Sequence, residues 1–321
     1  MLSTFSRKRL KFSNKIGIEC QIIDWASYDE YENEEIQESD EEFEAPSSDD
    51  EKPVKIRKFN IKAYGLTNKG NTVCIHIKNF KPYFFLKIPS NWTIRHFKAF
   101  ISKLKTTVGE YNSKMLCKAE IIRKKEFYGF TNNELFKFAK FTFHNKGGFY
   151  NFQKSLVDKT IRVPSINLNH NFKNDLYESK IDPMLRFYHE MNIQPCGWIK
   201  IPSREYTINS PQLTRCQIDI TIPYNKLIGV QKTAIAPMTI ASFDIECTSE
   251  DGTFPNPHRR ADEVIQIGTT FHKYGEQKCF FKHIITLKRC ASISGKEEDP
   301  DENTMVESYT TEKEVLMAWT K

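Results

Sequence analysis

The sequence lacks three features that would each assign it to a class of proteins. No apolar run approaches the roughly 18 residues that a membrane-spanning helix needs, so we expect no membrane partner. No internal repeat is visible, which argues against a solenoid or propeller. No two cysteines are spaced as Cys-x-x-Cys, which argues against a zinc site and favours reduced, mostly buried thiols in an intracellular protein.

Basic residues are absent from one long segment. Between Asp24 and Glu51 there are 14 acidic residues and no Lys or Arg. Charge repulsion and few apolar groups predict a disordered linker over residues 24–51, and the alternative is an acidic tail that shields basic surface or docks a partner. Residues 1–23 precede it, and alternating apolar residues from Ile16 to Trp25 predict a strand in this amino-terminal region.

The rest of the chain is strongly basic. Residues 1–51 contain 5 basic and 15 acidic residues, so the remaining 42 of 47 basic and 26 of 41 acidic residues give residues 52–321 a net charge of +16. Such a field favours binding of a polyanion such as DNA through phosphate contacts. The alternative is an ordinary soluble basic surface.

One short segment combines cations with aromatic rings. Its basic residues can contact phosphates while its rings stack on bases, so it is a weak candidate for binding single-stranded nucleic acid. Aromatic residues at alternating strand positions are also typical of a core, and this reading stays open beside the first. The candidate residues are Arg123, Lys124, Lys125, Phe127 and Tyr128.

The most informative residues are two acids in an otherwise apolar strand, Asp244 and Glu246. Strand alternation places both side chains on one face, and charge is costly to bury unless something binds it. Hard oxygen ligands on one strand suit Mg²⁺ or Mn²⁺, the ions of two-metal phosphodiester chemistry. We therefore predict that both are metal ligands and catalytic; the alternative is a strand end whose acids face solvent.

The periodicity around this strand predicts three strands and a helix. The strands are expected over residues 239–247, 264–271 and 278–287. The helix should follow Thr311, because Glu314 three residues later completes a capping-box pattern. Three strands followed by a helix is how a ribonuclease H-like fold begins.

Five blocks in order give residues 238–321 a family resemblance. They resemble the start of the 3′→5′ exonuclease domain of B-family DNA polymerases, above all the delta-type replicative enzymes of eukaryotes and large DNA viruses. The order of the blocks is more specific than any one of them. The blocks are Ser242–Cys247, Gly252–Pro257, Asp262–Gly268, Leu287–Cys290 and Glu312–Trp319.

Residues 52–237 resemble the amino-terminal domain of the same polymerases. Strands are expected over 56–66, 71–77, 80–87 and 119–128, and helices over 93–107 and from Gly147. The run from Tyr177-Glu178 to Arg186-Phe187, followed by a strand near Trp198, is similar to a recurring block of this domain.

The resemblance implies an α+β fold: a mixed, β-rich amino-terminal domain followed by an incomplete ribonuclease H-like exonuclease domain. It also implies a DNA-directed polymerase of DNA replication, in the nucleus or at a cytoplasmic viral replication site. The later exonuclease and palm motifs of the family are not found here. We therefore expect Asp244 and Glu246 to be half of a proofreading site that holds Mg²⁺ or Mn²⁺ only with a second polypeptide.

Three hypotheses follow. The first is an enzyme fragment, inactive alone, that binds DNA once a partner chain supplies the missing motifs. The second is a non-catalytic module that binds single-stranded nucleic acid. The third is an inert remnant, for which an exposed apolar face around Val315, Leu316 and Trp319 would be the sign.

Overall fold

The computed structural model describes residues 8–31, 56–126, 129–290 and 304–320. They form a mixed α/β, β-rich protein with several sheets. Chain contacts divide them into a larger unit, residues 9–67 and 72–232, and a smaller unit that contains residues 68–71 and 233–320.

The larger unit is built on a seven-stranded sheet of order β11-β12-β3-β2-β1-β10-β13. Most neighbours are antiparallel, but β12 and β3 run parallel, with Ile218 beside Val73 at one end. The apolar face of this sheet carries one of the unit's two cores, which includes Ile61, Ile75 and Phe187. The strands are β1 (Ile18–Tyr31), β2 (Arg57–Thr67), β3 (Thr72–Lys78), β10 (Trp198–Ile201), β11 (Thr207–Ile208), β12 (Ile218–Pro223) and β13 (Ile228–Val230).

A second sheet, of order β5-β6-β4-β9, carries the other core of the larger unit. This core is rich in phenylalanine, and Phe84 lies 5.3 to 5.5 Å from the rings of Phe141, Phe143 and Phe149. Several aromatic residues of these strands are therefore core, whereas the candidates Phe127 and Tyr128 lie outside the described residues. The strands are β4 (Tyr83–Lys87), β5 (Leu116–Lys125), β6 (Leu135–Phe143) and β9 (Leu176–Tyr177); β7 (Ile161–Val163) and β8 (Leu168–His170) form a separate pair.

Four helices complete the larger unit. The helix predicted from residue 93 is present, because the Thr93 hydroxyl accepts from the N–H of His96 and His96 returns the bond. Its buried residues Phe97, Phe100, Leu104 and Val108 recur at the spacing of one helix face. The helices are α1 (Ile94–Val108), α2 (Glu110–Ser113), α3 (Lys146–Asp158) and α4 (Pro183–Met191).

The acidic segment predicted to be disordered begins in a strand. β1 continues from Asp24 to Tyr31, so the prediction for residues 24–31 was wrong; residues 32–51 lie outside the described part of the chain. The acids have partners that the charge count did not reveal. Asp29 accepts from the backbone N–H groups of Lys146 and Gly147 at the start of α3, where the helix dipole favours a negative charge.

The block from Tyr177 to Phe187 is structural. The Arg186 guanidinium, 7% exposed, donates to a carboxylate oxygen of Glu178 at 2.5 Å and to the Glu178 carbonyl at 3.1 Å. It also lies over the ring of Tyr83, 4.1 Å from the ring centre. A bidentate, stacked guanidinium fixes α4 against β4 and β9, which explains the spacing of these residues.

The smaller unit is a four-stranded sheet of order β14-β15-β16-β17 with one helix. The three predicted strands and the helix are present, and the Thr311–Glu314 capping box is formed. The sequence interpretation missed β17, which pairs parallel to β16. The elements are β14 (Thr239–Cys247), β15 (Val264–Lys273), β16 (Phe281–Leu287), β17 (Thr304–Tyr309) and α5 (Glu312–Trp319).

The core of the smaller unit is thin. Its buried apolar residues are Ile267, Ile285 and Val315, where α5 packs on the sheet. Val315 is buried and so is not part of an exposed apolar face, the sign named for an inert remnant, whereas Leu316 and Trp319 remain 40% and 38% exposed.

Candidate metal centre and nucleic-acid interface

The two acids of β14 lie on the sheet face opposite α5. Phe243 packs on Trp319 with ring centres 4.7 Å apart, and Trp319 donates from its indole N–H to the hydroxyl of Thr269, the register partner of Phe243. The face of Phe243 is therefore the helix face. Strand alternation turns Asp244 and Glu246 to the other side, as predicted from the sequence.

Both acids face solvent. Every residue from Thr239 to Glu246 is exposed, because β14 is an edge strand of the sheet that the described residues form. The expectation that charge is buried in this strand was therefore wrong, and the exposure is that of the alternative interpretation, in which the acids face solvent. The Cα atoms of the two acids lie about 6–7 Å apart along one strand face.

The surroundings of the pair fit a divalent cation. Among the residues that the structure describes, neither acid forms an ion pair, and Asp244 accepts only from the adjacent N–H of Ile245, at 2.9 Å. Gly268 lies opposite Asp244 in the register, and a Cβ built there would meet nothing within 4 Å. Free carboxylate oxygens beside open backbone are the donor set that Mg²⁺ and Mn²⁺ use.

The loop after β14 is held by a buried acid. Asp262 accepts from the backbone N–H groups of Glu250 and Asn256 at 2.9 and 2.8 Å, and Arg259 lies 2.7 Å from its carboxylate. These bonds keep the pKa of Asp262 below its usual range. The loop that borders the acid pair therefore has a fixed conformation.

The described acids of this face are too few for two metal ions. A two-metal site needs more carboxylates than one pair to hold both ions in geometry. The described chain does contain one group of at least three potential ligands, but it lies in the larger unit and consists of Cys74, His76 and Asp219. Further ligands for Asp244 and Glu246 would have to come from outside the described residues.

The basic residues of β5 do not share one face. Arg123 lines a cavity of about 740 Å³, whereas Lys124 lies over the ring of Phe85, 4.2 Å from its centre. Lys125 donates to the side chain of Asn133 at 3.0 Å. Phe127 and Tyr128 lie outside the described residues.

The cavity beside Arg123 adds charged residues that the sequence analysis missed. Lys87 and Lys137 also line it, together with the acids Glu134 and Asp175, and His170 lies 2.7 Å from Asp175. Lys87 is paired with Glu126 at 2.5 Å, and Lys137 donates to the carbonyl of Trp92 at 2.9 Å. Arg123 has no such partner among the described residues, so its guanidinium is available for a phosphate. Only tertiary structure brings β4, β5, β6 and β8 together here.

Two further observations concern membranes and thiols. The described residues contain no helix long and apolar enough to cross a membrane. The eight cysteines are free of disulfides, as expected, but only Cys20 and Cys74 are buried, so the expectation of mostly buried thiols was wrong.

Comparison with known proteins identifies relatives of this chain. Residues 174–321 match the DNA polymerase family B exonuclease domain. The chain is 31% identical over 315 residues to the DNA polymerase of Acanthamoeba polyphaga mimivirus, covering 94% of this chain and 16% of that protein. It is 28% identical over 271 residues to the DNA polymerase delta catalytic subunit of Mesocricetus auratus, covering 81% and 23%.

A solved structure shares the fold. The family B DNA polymerase of the archaeon Pyrobaculum calidifontis superposes with a TM-score of 0.52 at 17% identity, over 72% of this chain and 25% of that one. The chain spans between 16% and 25% of the length of the curated relatives that it matches.

Proposed function

We propose that this chain, which is homologous to the amino-terminal and exonuclease regions of the family B DNA polymerases, is the amino-terminal part of a DNA-directed DNA polymerase that acts in DNA replication. Its smaller unit is the start of a ribonuclease H-like 3′→5′ exonuclease domain. The observation that carries the proposal is the placement of Asp244 and Glu246 on one open face of β14, where neither forms an ion pair with the described residues.

Asp244 and Glu246 act as metal ligands of the proofreading site in this proposal. A divalent cation there would activate water and stabilise the leaving oxygen of the phosphodiester. The chain's own contribution is to orient the two carboxylates by strand alternation and to keep the adjacent surface open at Gly268. The loop fixed by Asp262 borders the same edge of the sheet.

The described residues alone do not support catalysis. Two exposed carboxylates cannot fix two ions in the geometry that Mg²⁺ requires, so further carboxylates are needed from the rest of a polymerase. We expect the 321-residue chain by itself to excise nothing from a 3′ end.

The test is excision of single-stranded primer ends by the chain combined with a polypeptide that supplies the remaining exonuclease and palm regions. Asp244→Ala and Glu246→Ala should each lower the excision rate by at least about 100-fold, because lost metal ligands remove transition-state stabilisation. Glu276→Gln, an exposed acid paired with Lys273, is the matched control. Equal excision by all four proteins would overturn the proposal.

A second function, binding of single-stranded nucleic acid by the larger unit, is favoured by the cavity beside Arg123. The Arg123 guanidinium would contact a phosphate, and Lys125, two residues further on the same strand, would extend the basic surface. Such binding weakens with salt by a log-log slope of roughly −0.7 per phosphate contacted. Arg123→Ala should make that slope less negative, whereas Lys154→Ala on α3 should leave it unchanged. Binding that does not weaken with salt would contradict this function.

A further inference from the structure

A buried cluster of potential ligands lies in the larger unit, far in sequence from the acids of β14. Cys74 and His76 are two residues apart on β3, so their side chains share one sheet face. Asp219 lies beside Cys74 in the parallel β3–β12 register. Ile75, Ile77 and Ile220 belong to the core on the other face, so the cluster occupies the face away from that core.

The three ligand atoms converge. His76 Nε2 lies 3.0 Å from Asp219 Oδ1 and 3.6 Å from Cys74 Sγ, and all three atoms lie within 4.8 Å of one another. A tetrahedral zinc ion with Zn–S near 2.3 Å and Zn–N near 2.1 Å separates sulfur and nitrogen by about 3.6 Å. The Cys74–His76 separation therefore already equals one edge of such a tetrahedron.

One imidazole nitrogen faces two acceptors in this cluster. His76 Nε2 can donate a single hydrogen, to the carboxylate of Asp219 or to the sulfur of Cys74, so it cannot donate to both at once. A metal ion in place of that proton would bind all three atoms. The side chains of His76 and Asp219 are only 4% and 0% exposed, so a metal ion held by them would be shielded from solvent.

Hydrogen bonds from neighbouring groups orient the carboxylate of Asp219, as is usual for carboxylates that bind metals. Asp219 Oδ2 accepts from the backbone N–H groups of Leu213 and Thr214, at 3.0 and 2.6 Å, and from the Thr214 hydroxyl at 2.8 Å. Asn209 donates to Oδ1 at 2.6 Å. These bonds hold the segment 209–217 over the cluster.

A candidate for the fourth ligand lies in that same segment. The Thr214 hydroxyl is within hydrogen-bonding reach of the thiols of both Cys74 and Cys216, and the Cys216 thiol also bonds to Thr72. Cys216 follows Thr214 by two residues, and its backbone N–H donates to the same hydroxyl at 3.3 Å. Its sulfur is not one of the three converged ligand atoms, so its side chain would have to move to join them.

We propose that Cys74, His76 and Asp219, with Cys216 as the fourth ligand, form a structural zinc site that clamps the segment 209–217 to β3 and β12. Sulfur, imidazole and carboxylate together suit zinc, and sites with four protein ligands are structural. Binding releases the two thiol protons to solvent, and His76 ligates through the lone pair of Nε2. The site is independent of the exonuclease proposal and uses none of its residues.

The test is cobalt substitution in the full chain. After removal of metal with a chelator, stoichiometric Co²⁺ should give a near-ultraviolet sulfur-to-cobalt charge-transfer band and visible bands of tetrahedral intensity. Cys74→Ser should lose the charge-transfer band, and Cys216→Ser should keep it at about half strength. Cys196→Ser is the matched control, because Cys196 is exposed and outside the cluster, and it should match the wild type.

A measurement without variants guards against misfolding of Cys74→Ser. The chain expressed with zinc should retain one zinc ion through gel filtration, and its X-ray absorption should show a sulfur shell near 2.3 Å. Zinc that is lost on gel filtration, or a shell of only oxygen and nitrogen, would overturn the proposal and leave a hydrogen-bonded cluster. A cobalt spectrum unchanged by Cys74→Ser in a folded chain would do the same.

Discussion

The two units bury very different amounts of apolar surface. Among the described residues, the larger unit has two cores, and one of them is rich in phenylalanine. The smaller unit buries Ile267, Ile285 and Val315 beneath a single short helix. The strand that carries Asp244 and Glu246 is exposed along its length except at Cys247.

This difference indicates that the residues that stabilise the fold and the acids of β14 lie in different units. Stability of a domain depends mainly on buried apolar area, which is concentrated in the larger unit. The candidate metal ligands of β14 lie instead where the described residues bury little surface. Changes in the apolar cores of the larger unit should therefore alter folding, whereas changes of Asp244 and Glu246 should alter function with little effect on folding.

The largest effect should come from the phenylalanine core. Phe84→Ala removes a fully buried ring that contacts three others and should cost about 3–5 kcal/mol of unfolding free energy, because a cavity remains. Denaturant unfolding followed by circular dichroism measures it. Phe254→Ala, at a ring 92% exposed in the smaller unit, should change stability by no more than about 0.5 kcal/mol. Equal effects of the two substitutions would contradict the comparison.

A smaller effect is expected in the thin core. Ile285→Ala should cost about 2 kcal/mol, near the low end for this substitution, because a loosely covered site can partly collapse. Hydrogen exchange of β15 and β16 amides measures the loss locally. Ile265→Ala, on the same sheet but 38% exposed, is the control. A loss as large as that of Phe84→Ala would mean that the smaller unit is better packed than its burial indicates.

A change at the start of α5 should cost less stability than either core substitution. Thr311→Ala removes the hydroxyl that caps the N–H of Glu314 and should cost about 1 kcal/mol. Thermal unfolding measures it, with Thr320→Ala at the other end of the helix as the control. No loss beyond that of the control would show that the capping box does not stabilise the helix.

Lowering the pH should destabilise the start of α5 by less than Thr311→Ala does. Hydrogen bonds from Thr310 and Thr311 hold the pKa of Glu314 below its usual range. The stabilisation is therefore complete above the pKa of glutamate in the unfolded chain and is lost as pH falls through the lower folded value. The stability difference between wild type and Glu314→Gln should shrink between neutral pH and about pH 3. A difference that grows on acidification would reverse the sign of this account.

Local patterns predicted much of this fold, because short-range physics determines them. Thr93 and Thr311 marked helix starts through capping, and alternation placed Asp244 and Glu246 on one face. Patterns failed where a distant partner decides. The acidic residues of β1 were predicted to be disordered because the partner of Asp29, at the start of α3, is distant in the sequence.

The buried ligand cluster shows the same limit. Cys74 and His76 gave no signal as Cys-x-His, since Asp219 reaches them only through the parallel pairing of β3 with β12. The strand β17 was missed because it pairs with β16 across a long connection. Burial was misjudged for β14, whose apolar composition suggested an interior strand although it lies at an edge.

The most direct test of the central claim is manganese binding by the labelled chain combined with a polypeptide that supplies the remaining exonuclease and palm regions. Paramagnetic Mn²⁺ broadens nearby amide signals, and we predict that residues 242–248 and 266–270 broaden first. Asp244→Asn with Glu246→Gln should abolish this broadening, whereas Glu276→Gln should leave it unchanged. Broadening that persists in the double variant, or that appears only elsewhere, would contradict the assignment of these two carboxylates as metal ligands.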